Sequence, residues 1–203
     1  AGAMAAVCAC LAGGETLGEA FKEEDIRTLL GKALTEEMPP DAGFSRTENL
    51  QYAVQVCSYL ENACAGEKWP EMGENLLARY VRAILPAITE YEQKNAALPR
   101  RLAFAVSALI MLYSGVRPDD QGVYTLAGKD GSMPVLDRAE ALRAFSRLSC
   151  DMPCEALAYA ALSDCEIWGC DLREIEGLEE LATEQLRDMQ LLGVCEAMRK
   201  ASK

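Results

Sequence analysis

An apolar run of 12 residues constrains the fold of this chain more than any other feature of the sequence. Residues 102–113, LAFAVSALIMLY, are hydrophobic on nearly every side of a helical projection, and such a helix must be covered all round. The run is too short to cross a bilayer, because a spanning helix needs about 20 apolar residues. It therefore predicts a helix buried at the centre of a domain, ended by Gly115 and Pro118.

Apolar residues recur at helical spacing along most of the remaining chain. The segments predicted to be helical are 25–38 (ended by Pro39-Pro40), about 71–94, 137–148, 153–162, 178–192 and a terminal helix after Gly193. Pro86 predicts a kink or two abutting helices within 71–94. Residues 116–136 lack the pattern, and the turn sequence 129–132 favours a small hairpin around residues 124–126. The prediction is a mainly α fold: a multi-helix domain around a buried central helix, with one short irregular or β excursion near residues 116–136.

A further helix is predicted from its start signal. Ser45 and Glu48 have the spacing of a capping box. In this motif each side chain accepts a hydrogen bond from the backbone amide of the other residue. The apolar residues that follow share one face of that helix: Leu50, Ala53, Val54, Cys57 and Leu60.

Composition excludes several classes of function. With 20 Lys+Arg against 32 Asp+Glu, the net charge of −12 disfavours binding to nucleic acid or to an anionic membrane. The absence of histidine excludes Ser-His-Asp triads, Cys-His nucleophiles and HExxH zinc sites. Neither GxGxxG nor GxxxxGK[ST] occurs, and Gly13-Gly14 predicts a helix break. We therefore expect no catalytic, cofactor-binding or metal-binding residues in this chain.

Other polar residues favour structural roles. Adjacent carboxylates on a helix do not face one another, so the doublets 23–25, 36–37, 119–120 and 179–180 are expected to be solvated. Ser107 is expected to bond back to a backbone carbonyl. The nine cysteines are spaced as CxC, CxxxC and CxxxxC, unlike the paired CxxC units of zinc sites. With no leader in the opening residues, they predict small buried thiols in a reduced, cytoplasmic protein.

Four blocks of the sequence resemble the tagaturonate reductases, also called altronate oxidoreductases, of the mannitol dehydrogenase superfamily. The first is CLAGGETLGEAFKEEDIRTLLGKALTEEMPP at residues 10–40, similar to the family pattern that begins "YLAG". The others are NLLARYVRAILPAI (75–88), LAFAVSALIMLYSG after Leu98-Pro99, and IWGCDLREIEGL (167–178). The blocks follow the family order and together cover nearly the whole chain.

The resemblance implies that residues 1–203 are the C-terminal helical, substrate-binding domain of such an enzyme. Family members carry an N-terminal Rossmann domain that binds NAD, and their catalytic Lys, Asn and His lie just upstream of the "LAG" block. The resemblance therefore implies that this chain lacks the Rossmann domain and the catalytic residues. The implied partners are that missing domain and a small sugar-acid substrate, and the parent protein would use NAD.

Two residues are implied to bind substrate. The family's Ser-Lys pair falls on Ala78-Arg79, and Arg79 could bind a uronate carboxylate through its guanidinium fork. Asn75, one helical turn earlier, could hydrogen-bond a sugar hydroxyl. Salt bridging or helix packing is the alternative role for both. The family's "RF.NP" corresponds to residues 59–63, which keep Asn62 and lose the Arg and Pro.

Three functions follow as hypotheses. The first is the substrate-side domain of an NAD-dependent oxidoreductase that reduces tagaturonate to altronate or runs the reverse, inactive without its cofactor domain. The second is a stand-alone helical interaction or regulatory module descended from that family. The third is a cysteine-rich metal or redox module.

Overall fold

The structure is a computed structural model that describes residues 1–14, 16–38, 45–68, 74–128 and 131–203. Its helices are α1 (Gly2–Leu11), α2 (Leu17–Ala20), α3 (Glu24–Lys32), α4 (Arg46–Asn62), α5 (Leu76–Arg79), α6 (Leu85–Asn95), α7 (Arg100–Tyr113), α8 (Ala139–Phe145), α9 (Cys154–Ser163), α10 (Cys165–Trp168), α11 (Leu178–Leu192) and α12 (Val194–Ala201). Its strands are β1 (Arg117–Pro118), β2 (Tyr124–Gly128) and β3 (Gly131–Pro134). The mainly α architecture predicted from the sequence is confirmed.

Helix α7 is the centre of the fold, as the apolar run predicts. Every residue from Arg101 to Ile110 is buried, and α1, α3, α6, α9, α11 and α12 all contact the helix. Ser107 donates to the carbonyl of Ala103 at 3.1 Å, as expected, and also to Oε1 of Gln185 in α11 at 2.9 Å. The second bond satisfies a polar side chain of each helix inside the core.

Helix α1 was not predicted from periodicity. Residues 3–9 are all buried, so the helix has no polar face that would give a period of 3.6 residues. It packs directly on α7. For a helix that is buried on every side, only the apolar composition of the segment can indicate from the sequence that it is helical.

The capping box of α4 is present, but little of its apolar face is buried. The Ser45 hydroxyl accepts from the Glu48 amide at 3.3 Å, and the Glu48 carboxylate accepts from the Ser45 amide at 2.7 Å. Of the 17 residues of α4, only Ala53 and Leu60 are buried. Leu50 and Val54 are 50% and 67% exposed, because the facing helix α3 leaves a groove beside them.

The segment around Pro86 consists of abutting helices, as predicted. Helix α5 continues into a π-helical turn, Tyr80–Ile84, and α6 begins at Leu85 with Pro86 in its first turn. Proline is tolerated there because the first amides of a helix have no intrahelical acceptor. Residues 71–73 of the predicted segment and the predicted stop at 39–40 lie outside the described residues.

The β excursion is a small antiparallel sheet in the order β1-β2-β3. Arg117 pairs with Thr125 and Leu126 pairs with Met133. Buried Leu126 and Val135 anchor the hairpin on the core. Lys129 and Asp130 of the predicted turn lie outside the described residues.

Glu37 corrects the expectation that the 36–37 doublet is solvated. Its side chain is only 3% exposed and forms an ion pair with Arg101 at 3.0 Å, while Glu36 is 53% exposed. The Glu37 carboxylate also accepts from the amides of Arg101 and Leu102 at 3.1 and 2.9 Å. It therefore caps the first turn of α7 from another helix.

The cysteines only partly follow the expectation of buried thiols. All nine are free. Three are buried (Cys8, Cys64 and Cys154) and three are half-buried (Cys10, Cys57 and Cys195). The expectation is wrong for Cys150, Cys165 and Cys170, which are exposed because they lie at helix ends and in connections.

Candidate functional site

The two residues expected to bind substrate lie on one helical turn. Asn75 is the N-cap of α5 and Arg79 is its last residue, and the Arg79 amide donates to the Asn75 carbonyl at 3.1 Å. Asn75 has a φ of 52°, a left-handed conformation that asparagine tolerates better than most residues. The Asn75 side chain is exposed, and its Nδ2 donates to Oε1 of Glu74 at 3.4 Å. Arg79 is half-buried.

Residues distant in the sequence hold this turn in place. Oδ2 of Asp137 accepts from the Leu77 amide at 2.8 Å and from the Tyr113 hydroxyl at 3.2 Å. The backbone amide of Asn75 donates to the carbonyl of Leu136 at 2.8 Å. Asp137 thus caps α5 in place of an N-cap side chain and ties it to the end of central helix α7. Sequence reasoning missed Asp137, because no local pattern links it to a helix 60 residues away.

Arg79 reaches across to the beginning of α1. A β-carbon placed on Gly2 would lie 3.1 Å from a guanidinium nitrogen of Arg79 and 3.7 Å from Cδ2 of Leu60. The end of α4, helix α5 and the start of α1 therefore meet at one place. A half-buried guanidinium in such a junction can bind a carboxylate through two parallel hydrogen bonds.

Two phenols lie beneath this junction, and both are neutral at physiological pH. Burial and the nearby Cys8 thiol raise the pKa of Tyr80 well above its ordinary value, against the opposing effect of Arg79. Burial and the adjacent Asp137 carboxylate raise the pKa of Tyr113. The buried Tyr80 hydroxyl has no hydrogen-bond partner among the described residues. These groups can donate hydrogen bonds but cannot serve as bases.

The described residues contain neither the parallel strands of a Rossmann-type site nor a cluster of metal-ligating side chains. A Rossmann-type site needs parallel strands, each followed by a helix whose N-terminus faces the phosphates, whereas the strands described here are three, short and antiparallel. Within the described ranges, no group of three or more His, Cys, Asp and Glu side chains could hold a metal ion. No described helix is long and apolar enough to span a membrane.

Comparisons of sequence identify relatives that match almost the whole chain. It is 30% identical over 184 residues to the altronate oxidoreductase of Yersinia enterocolitica, a match that covers 88% of this chain and 36% of the relative. It is 31% identical over 196 residues to the altronate oxidoreductase of Klebsiella pneumoniae strain 342, covering 94% of this chain and 38% of the relative. The chain thus spans little more than a third of the length of these relatives. No protein-family model matches it.

Solved structures share its fold. Mannitol 2-dehydrogenase of Pseudomonas fluorescens, in a ternary complex with NAD and D-mannitol, superposes with a TM-score of 0.72 over 98% of this chain at 14% identity. A substrate-free D-sorbitol dehydrogenase superposes with a TM-score of 0.66 over 97% of this chain at 13% identity. In both cases this chain covers 38% of the solved one. The chain is therefore a homologue of the altronate oxidoreductases over little more than a third of their length, with the fold of the matching part of the mannitol and sorbitol dehydrogenases.

Proposed function

We propose that this chain is the substrate-side part of an NAD-dependent oxidoreductase that reduces a keto-hexuronate such as tagaturonate, or oxidises altronate in the reverse direction. NAD and the catalytic Lys, Asn and His are proposed to belong to the remainder of a longer parent protein, encoded with this chain. The lengths of the altronate oxidoreductases support this arrangement, because the chain matches only 36–38% of each relative.

The position of Arg79 carries the proposal. Its guanidinium lies beside Gly2, at the start of the helix that leads into the first block of the family resemblance. Family members have their catalytic segment just upstream of that block. An arginine placed here would hold the substrate by its carboxylate, and a bidentate bond would fix the orientation of the carbon chain that carries the reacting carbonyl.

The neighbouring residues have distinct roles in this proposal. Asn75, exposed at the start of the same turn, would bond a sugar hydroxyl. Asp137 would position α5, and thereby Arg79, through the bond from the Leu77 amide at 2.8 Å. The packed helices behind α5 would form the wall of the cleft that excludes water.

Substitution of Arg79 in the parent protein tests the assignment. We expect Arg79→Ala to lower kcat/KM for tagaturonate about 100-fold, since removing one partner of a buried, hydrogen-bonded charge pair costs about 2–5 kcal/mol. Arg79→Lys should recover part of the loss, because it restores charge without the fork. A neutral polyol should be turned over equally well by all three proteins.

Arg147→Ala is the matched control. Arg147 is 60% exposed and pairs with Glu166 at 3.6 Å, so its loss should leave the kinetics unchanged. Equal kinetic constants for Arg79→Ala and Arg147→Ala would show that Arg79 does not bind the substrate. A parent protein without NADH-dependent activity on uronates would overturn the proposed function and favour a stand-alone interaction module.

A further inference from the structure

Helix α4 presents its amphipathic stripe to a groove instead of to the core. The stripe is defined by the α4 residues that line the groove: Leu50, Ala53, Val54, Cys57, Ser58 and Glu61. Their spacing of three and four places them on one side of the helix. Leu50 and Val54 remain 50% and 67% exposed. Helices of globular proteins bury such a stripe against a neighbour, whereas here only Ala53 is buried and no described residue covers Leu50 and Val54.

The opposite wall of the groove is the outer face of α3 and of its π-helical continuation, Ala33–Glu37. It comprises Arg27, Thr28, Gly31, Lys32, Thr35 and Glu36. Its charged groups bind within the chain: Lys32 donates to the Ser202 carbonyl at 2.6 Å, Glu36 pairs with Arg101 at 2.8 Å, and Arg27 donates to the Phe21 carbonyl. The groove therefore offers an incoming segment mainly apolar contact.

Gly31 independently indicates that a segment from outside this chain packs closely against α3. It lies inside a continuous helical stretch, where glycine costs about 0.5–1 kcal/mol relative to alanine. A β-carbon at this position would meet no atom within 4 Å among the described residues. The packing of this chain therefore does not require glycine here, whereas a segment packed into the groove would benefit from the missing side chain.

We infer that this groove, of about 500 Å³, docks an apolar segment of the cofactor-binding domain of the parent protein. The inference rests on the proposed function, since only a longer parent supplies that domain. The relatives extend over nearly three times the matched length, as the 36–38% coverage implies. A volume of this size accommodates a few apolar side chains from one amphipathic helix.

The groove leads to the candidate substrate site. Its α4 wall ends at Cys57, Ser58 and Glu61, in the same last turns of α4 that bring Leu60 beside Gly2 and Arg79. Substrate pockets form preferentially where domains meet. A domain docked along this groove would therefore cover Arg79 at one end of the groove. The docking surface and the substrate site would then belong to the same interface between the two domains.

Thiol labelling of the full polypeptide from the natural gene tests the inference. Val54→Cys places a thiol in the groove, and Leu191→Cys places one on α11, where the replaced side chain is 75% exposed. Because the nine native thiols are also free, each alkylation rate is followed by mass spectrometry of the peptide that carries the introduced thiol, and is divided by the rate of the same thiol in denaturant. We expect the thiol at position 54 to react at least roughly tenfold more slowly than the one at 191, a difference of about 1.4 kcal/mol. Adding Leu50→Asp should bring the two rates together.

The outcomes separate the docking surface from the proposed function. Equal rates at 54 and 191 overturn the docking site, even where the same sample reduces uronates with NADH. Slow labelling at 54 that is lost on dilution identifies a second copy of the chain as the occupant and also overturns it. Slow labelling that is independent of concentration supports the docking site, even in a sample that shows no uronate reduction. A natural polypeptide of only 203 residues overturns both.

Discussion

The carboxylate of Glu37 holds its own segment of the chain against the start of α7. It pairs with Arg101, which is itself only 10% exposed, and accepts two backbone amides at the start of α7. We expect Glu37→Ala to lower the free energy of unfolding by about 3–5 kcal/mol, because it removes a buried ion pair and leaves the amides of Arg101 and Leu102 without their acceptor. Glu36→Ala, next to it and half-exposed, should cost less than about 1 kcal/mol. Urea denaturation of both variants measures the difference, and equal losses would contradict this role of Glu37.

The same residue makes stability depend on pH. Burial raises the pKa of Glu37 above its ordinary value of 4.5, against the opposing hydrogen bonds from Arg101 and Leu102. A carboxyl with a raised folded-state pKa binds its proton more tightly when folded, so its contribution to stability falls as pH rises through the interval above 4.5. The unfolding free energy of the wild type minus that of Glu37→Gln should therefore decrease over this interval. A difference that stays constant or increases would contradict the raised pKa.

At the scale of the element, two glycines give a matched test of helix packing. Gly31 has open space around a β-carbon, whereas a β-carbon on Gly18 would lie 2.9 Å from both Cβ and the carbonyl oxygen of Ala65. In the 203-residue polypeptide alone, where the groove is open, Gly31→Ala should raise the melting temperature through a gain of about 0.5–1 kcal/mol in helix propensity. Gly18→Ala should lower it, because the backbone around Ala65 must move. Thermal unfolding followed by circular dichroism distinguishes the two signs, and a loss of stability in Gly31→Ala would show that a neighbour does pack there.

Helix α4 shows how much an element's sequence predicts. Its capping box forms because Ser45 and Glu48 are three residues apart and bond each other's backbone. Its apolar residues recur at helical spacing, yet Leu50 and Val54 face the groove and not the core. Periodicity reports that a face is apolar, but it does not identify the surface that covers it.

At the scale of the whole molecule, both ends of the chain converge on α7. Arg199 of α12 binds the carboxylate of Asp25 in α3 with bonds of 3.2 and 2.8 Å. Lys32 and Arg101 both donate to the carbonyl of Ser202. Contacts between residues more than 100 positions apart therefore close the helical layer around the central helix.

We expect that the 203 residues alone neither bind NADH nor turn over uronates, because the proposed function assigns the NAD site and the catalytic residues to the remainder of the parent protein. Fluorescence titration with NADH and a coupled assay measure the two properties. Helical circular dichroism of the same sample serves as the control for folding. Turnover by the 203-residue polypeptide would contradict the prediction.

Interactions within one or two turns were fixed by the sequence itself. The apolar run 102–113 predicted the buried helix α7, which the structure contains. The predicted helix 178–192 has the same bounds as α11, and Gly193 separates α11 from α12. The resemblance found along the sequence is confirmed by relatives that cover 88–94% of the chain. Local hydrogen bonding and periodicity suffice for such features, because their partners are near neighbours in the chain.

Only the tertiary structure decided which distant groups meet. Glu37 is buried because the path of the chain brings it to the start of α7, 64 residues away. Asp137 caps α5 across 60 residues, and Arg79 lies beside Gly2 because α1 and α5 pack at the same end of the domain. Such contacts depend on how helices are arranged around the core, and that arrangement is set by the sum of many packing contacts instead of any local pattern.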